Sequence, residues 1–203
     1  MPLVRKDAFT LVELLVVIGI IALLIAILLP SLSVARQQSE SVTCLSQLRQ
    51  IGISMIMYVD ANRGYFPKNS HSGPDQSWLN SLYPFGLLPT VRLCPTDQRE
   101  VTPSATSYAT NNYTTAPRPY ERLVKILKSS QTIYAAETHR TGDHLHATNY
   151  VDALAVAAEI PVDRHRRSAN YLYCDGHAAP LPAAYWPRDF SPAISPFDPA
   201  TAK

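Results

Sequence analysis

From Phe9 to Leu29 the chain is an almost unbroken apolar run, preceded by Arg5 and Lys6 and interrupted by a single carboxylate, Glu13. As a helix the run would span roughly 31 Å at about 1.5 Å per residue, enough to cross a bilayer. A basic leader before a membrane-length apolar run commits the chain to a membrane or an export route, with the amino terminus cytoplasmic and the bulk of the chain outside. Glu13 is the anomaly. A carboxylate costs about 2.5–3.5 kcal/mol at a bilayer centre, so its presence marks a functional position. A secretory signal peptide cut after Ser33-Val34-Ala35 would release a chain starting near Arg36. Against it, the run exceeds the usual 7–15 residues of a signal peptide's apolar region and holds Glu13. A plain transmembrane anchor is the other rival.

The string Ala8-Phe9-Thr10-Leu11-Val12-Glu13-Leu14-Leu15 resembles the cleavage and methylation site of type IV prepilins and type II secretion pseudopilins. The resemblance implies that residues 1–8 are a leader, that a prepilin peptidase cuts between Ala8 and Phe9, and that Phe9 is then N-methylated. Ala8 stands where the family usually has Gly; both are small. Glu13 would pair with the new ammonium group of a neighbouring subunit, compensating two charges that are each costly in an apolar filament core. Pro30 resembles the kink in long pilin helices, since a Pro inside a helix removes one hydrogen bond. The partners implied are the peptidase, like subunits in a homo- or hetero-filament, and an inner-membrane assembly platform powered by a cytoplasmic ATPase. The implied location is single-pass in the inner membrane, then a periplasmic or surface filament.

Beyond the apolar run the sequence predicts an amphipathic stem over residues 30–60, with Leu32, Ala35, Val42, Leu45, Leu48, Ile51, Met55 and Val59 as its apolar stripe. Asp60 to Gly64 supplies the stop. Of the 203 residues, about 140 then remain, enough for one globular domain and not two. That domain is placed at 61–181. Gln131 to Glu137 reads as a strand, and Ala169–Cys174 and His177–Leu181 as a hairpin around Asp175-Gly176 with a type I′ turn. Proline recurs from Pro182 onward, so 182–203 reads as an irregular or disordered tail. The fold class is α+β: a long amino-terminal helix packed on a small antiparallel sheet. His165, nine residues and then Asp175-Gly176 resemble a carboxy-terminal pattern of many prepilin-like proteins. Leu48 to Gly52, Asn62 to Pro67 and Cys94-Pro95 resemble segments of the same set.

Chemistry-bearing residues are sparse. Net charge is +2 with 17% charged residues, and the basic string Arg164 to Arg167 reads as a solvated loop, so nucleic acid is not an expected partner. Cys44, Cys94 and Cys174 lie 50 and 80 residues apart, unlike the close pairs of zinc sites. Cys174 reads as a small buried hydrophobe, and a bridge, if formed, would join Cys44 to Cys94. His139, Asp143, His144 and His146 cluster after Glu137 as weak metal candidates, weighed against a solvated polar loop. A Cys174-His165-Asp175 hydrolase fails on strand alternation, which turns Cys174 inward with Leu172. His165 is expected to fix the loop before the hairpin through a backbone hydrogen bond.

No cofactor and no catalysis are expected. The expected role is a structural filament subunit. The alternatives are a membrane-anchored binding domain that uses the prepilin export route, and a secreted metal- or thiol-dependent enzyme.

Overall fold

The computed structural model describes residues 10–69, 77–99, 106–115, 118–140 and 142–202. It divides into two compact units, 1–39 and 40–203. Helix α1, Leu11–Ala61, belongs to both, with Pro30 inside it. Every described residue of the first unit, 10–39, is exposed. Between Leu11 and Val34 its one ionisable side chain is Glu13. This helix is long and apolar enough to cross a membrane.

In the second unit the buried face of α1 carries Cys44, Leu48, Ile51, Gly52, Ser54, Met55 and Val59. The stripe expected from the sequence is therefore right from Leu48 onward and displaced before it: Leu32, Ala35 and Val42 are exposed, and Cys44 takes the inward position. The helix stops where expected. Arg63 and Gly64 turn left-handed at φ 56° and 83°, and Gly64 N–H closes on Val59 O at 2.8 Å.

Among the described residues five strands follow: β1 Tyr108–Asn111, β2 Ile133–Glu137, β3 His144–Leu145, β4 Ser168–Tyr173 and β5 Ala178–Pro182. Their order is β3-β1-β2-β4-β5. All pairs are antiparallel except β1–β3, which is parallel, so the sheet is mixed rather than purely antiparallel. One face packs on α1: Tyr134, Leu172 and Cys174 join Leu48, Ile51, Met55, Trp78, Leu79 and Leu82 in one core. The opposite face holds a second core around Ile133, Ala136, Ala169, Tyr171, Trp186 and Phe197. Buried strands therefore alternate between two cores, with Cys174 on the face of Leu172 as the alternation predicts.

Two local expectations are corrected. The β4–β5 connection is not a type I′ turn, because only Gly176 has positive φ, at 90°. Gly176 N–H bonds Tyr173 O at 3.0 Å and Tyr173 N–H bonds His177 O at 2.9 Å. This is a type I turn closed by a glycine bulge, which needs one left-handed residue rather than two. The segment expected as a disordered tail, 182–203, is folded over its described residues, 182–202. It forms a short helix, Tyr185–Asp189, and a 3₁₀ turn, Pro192–Ile194. Ile133 N–H bonds Pro196 O at 2.7 Å, and Trp186 and Phe197 are buried against the sheet.

Candidate functional site

The start of α1 is built by a reciprocal pair. Glu13 Oε2 accepts from the Thr10 N–H at 2.9 Å and from the Thr10 hydroxyl at 2.7 Å. Thr10 Oγ1 accepts from the Glu13 N–H at 3.2 Å. Thr at the cap and Glu at the third helical position make a capping box, which satisfies amide groups that a helix start leaves open. Thr10 was not singled out from the sequence, although Thr-x-x-Glu before an apolar run is its signature. Ala8 and Phe9 lie outside the described residues.

Four buried side chains meet in the second unit: Cys44, Cys94, Glu137 and His165. Their ligand-capable atoms all lie within 4.8 Å of one another. The Cys44 thiol donates to Glu137 Oε1 at 2.5 Å. His165 Nε2 approaches the same oxygen at 2.7 Å and Cys94 Sγ at 3.6 Å. Glu137 Oε2 accepts from the Asn170 N–H at 2.9 Å. Tyr108 Oη lies 3.2 Å from Cys44 Sγ, and Thr96 Oγ1 lies 3.1 Å from Cys94 Sγ.

Each member is delivered by a different element. Cys44 sits on the buried face of α1. Cys94 opens a tight turn in which Asp97 N–H bonds Cys94 O at 2.9 Å, and its own N–H is held by Ser107 Oγ at 2.8 Å. Glu137 is the last residue of β2, opposite Tyr108. His165 precedes β4, where Arg166 and Arg167 adopt φ 56° and 77°. Two successive left-handed non-glycine residues cost about 1–2 kcal/mol each. They fold the chain back so that His165 N–H reaches Ser168 O at 2.8 Å while the imidazole points inward.

The electrostatics separate the two thiols. Burial and the neighbouring Cys94 and Glu137 raise the Cys44 thiol, which stays protonated. The adjacent Cys44 sulfur first, then His165 and Thr96, bring the Cys94 thiol down against the opposing effect of burial. Burial works against the His165 imidazolium, yet its bonds to Cys94 and Glu137 lift it to about 9. Burial likewise opposes ionisation of Glu137, and His165, Cys44 and the Asn170 amide overcome it, so the carboxyl is lowered. Cys94 and Glu137 both address Nε2 of His165, while Nδ1 has no partner among the described residues. A nucleophile–base–orienter relay would need opposite ring nitrogens.

Residues 4–29 match the family model described as the prokaryotic N-terminal methylation motif. The chain carries a prepilin-type motif. It is therefore a prepilin-type substrate of a prepilin peptidase, with a long amino-terminal helix on a small sheet. No curated protein and no solved structure matches it.

The remaining candidates of this prepilin-type chain are dispersed. Cys44 and Cys94 come together as expected of a pair, but as free thiols rather than a bridge, and Cys174 is also free and buried. Asp175 Oδ1 bonds the His177 ring at 2.6 Å, so it, Cys174 and His165 make separate contacts. The His165 imidazole binds side chains, whereas the sequence assigned it to a backbone group. Arg164 is no solvated residue either: it bonds Asp97 at 3.4 Å and Thr138 O at 3.1 Å.

Among the described residues His139, Asp143, His144 and His146 do not converge on a common point. His139 Nε2 meets Ala158 O at 2.8 Å, and His144 Nδ1 lies 3.4 Å from Asp143 Oδ1. His146 binds Glu159 through its ring at 2.6 Å and its N–H at 2.8 Å. Tyr150 Oη donates to the same carboxylate at 2.8 Å. Burial raises the Glu159 carboxyl, and these donors outweigh it, so its folded value is lowered. Its contribution is complete above the unfolded carboxylate value of about 4.3 and disappears as pH falls through the lower folded value. Glu159→Gln is expected to flatten the acid limb of a Tm-against-pH curve below about pH 4. An unchanged acid limb would remove Glu159 as its source.

Proposed function

We propose that the mature chain is a structural subunit of a type IV pilus-like or type II secretion filament and does not itself catalyse a reaction. The observation that carries this is the continuity between the methylation motif and an exposed apolar helix. The motif at 4–29 runs into a helix whose residues 11–39 are all exposed on the isolated chain. An apolar surface of that extent needs lipid before assembly and neighbouring helices after it. Cleavage before Phe9 would create an ammonium group beside the first turn of α1. Glu13 is the one carboxylate available in the run to pair with such a group on a neighbour, exchanging its Thr10 bonds for an ion pair. The proposed partners are like subunits and an inner-membrane assembly platform, with the second unit outside the membrane.

Intact-mass and amino-terminal analysis of the chain from native membranes tests this, beside Glu13→Val. The expected result is a chain beginning at methylated Phe9 that crosslinks to like subunits, with crosslinking lost in Glu13→Val. A chain beginning near Arg36 would mean an ordinary signal peptide, and an uncut chain a plain anchor. Either would overturn the filament reading.

A further inference from the structure

We propose that Cys44, Cys94, Glu137 and His165 form a structural zinc site that fastens four separate segments of the globular unit. The site would hold whether or not the chain assembles into a filament, because it lies wholly within residues 40–203.

Geometry is the first argument. Zinc bonds of about 2.0–2.3 Å in a tetrahedron place ligand atoms roughly 3.3–3.8 Å apart. The Cys94–His165 separation of 3.6 Å already lies there. The contacts of 2.5 and 2.7 Å onto Glu137 Oε1 are shorter because each is closed by a proton, one from Cys44 and one from His165. Opening them by about 1 Å, and closing the wider pairs from at most 4.8 Å by a similar amount, would seat the ion. The exchange balances: Zn²⁺ enters, the thiol and imidazole protons leave, and the net charge of the cluster is unchanged.

The donor set is the second argument. Two sulfurs, an imidazole nitrogen and one carboxylate oxygen suit zinc, whereas calcium and magnesium take oxygen ligands. All four side chains are sealed from solvent: Cys44, Glu137 and the His165 ring are 0% exposed and Cys94 1%. Four protein ligands in a closed site are the structural type; catalytic zinc keeps a position open for water or substrate. Surrounding groups already orient two of the ligands, Glu137 and Cys94, and a third packs on Cys44. Asn170 N–H holds Glu137 Oε2, Thr96 lies against Cys94, and Tyr108 lies against Cys44 while donating to Gln47 Oε1 at 2.7 Å.

Topology supplies the reason for such a clasp. Cys44 is on α1, Cys94 in a turn, Glu137 at the end of β2 and His165 in the loop before β4. Cross-linking points this far apart in sequence restricts the unfolded chain most.

The test uses the full chain purified in detergent without chelators. Elemental analysis is expected to find about one zinc per chain. Chelator should lower Tm, and Zn²⁺ alone should restore it. The stripped chain titrated with Co²⁺ should show thiolate-to-cobalt charge transfer and tetrahedral ligand-field bands. Cys94→Ser and His165→Gln should each reduce retained zinc by about tenfold or more. Should the ligand variants fail to fold, the cobalt spectrum of the unaltered chain decides. Absence of both retained zinc and a cobalt–thiolate band would overturn the proposal. So would a Cys44–Cys94 disulfide in the chain from native membranes.

Discussion

Trp186→Ala is expected to destabilise the globular unit by about 3–5 kcal/mol, read as a fall in the denaturant midpoint of the full chain in detergent. Trp186 is 1% exposed. Its ring stacks on Phe197 with centroids 5.7 Å apart and lies 5.6 Å from Tyr171, and its Nε1–H donates to Tyr171 Oη at 3.1 Å. Truncation removes the largest side chain of the second core and leaves a buried hydroxyl without its donor, two penalties at one site. Leu127→Ala is the control: that side chain is 92% exposed, and its loss should change stability by less than about 0.5 kcal/mol. If Trp186→Ala behaved like Leu127→Ala, Trp186 and Phe197 would not be covering the sheet.

The second large effect reverses a common rule. Gly to Ala inside a helix usually gains about 1 kcal/mol. Gly52→Ala should instead cost about 3 kcal/mol, the upper range for overpacking a core. A Cβ at Gly52 would stand 2.2 Å from the Gly176 carbonyl oxygen and 2.8 Å from Leu172 Cδ1. The first obstacle is backbone and cannot rotate away. Seen from the other side, a Cβ on Gly176 would stand 2.8 Å from Ile56 Cγ1, at a φ of +90°. The two glycines therefore set how closely α1 approaches the β4–β5 turn. Gly19→Ala, with nothing within 4 Å of its Cβ position, should leave the melting of the globular unit unchanged. A stable Gly52→Ala chain would mean that helix and hairpin can separate without loss.

What the sequence disclosed follows the range of the interactions involved. The apolar run, the helix stop at Arg63-Gly64 and the strand ending at Glu137 are encoded by neighbours, and periodicity finds them. The hairpin was legible but its turn type was not, because Asp-Gly suits both a type I′ turn and a type I turn with a glycine bulge. The inward stripe of α1 was misphased before Leu48 because Cys44, which takes the inward position there, was not counted among the apolar residues. The packed tail was missed because prolines erase periodicity while Trp186 and Phe197 bury singly and Phe190 only half-buries. The four-residue cluster lay furthest from view. Zinc spacing rules detect paired ligands a few residues apart, whereas these four are brought together only by the sheet. Glu137 read as a strand end, and His165 as part of a pattern.

The rim of the sheet carries a last consequence. β3 offers only two residues at one border. At the other, β5 sets Pro180 and Pro182 opposite Asn170 and Ser168. The Asn170 N–H is turned toward β2, where it meets Glu137, so these positions of β5 would otherwise point their amides outward. Proline has none to point. An incoming strand finds too few donors to zip onto either border, and a run of such molecules cannot lengthen by sharing one continuous ladder.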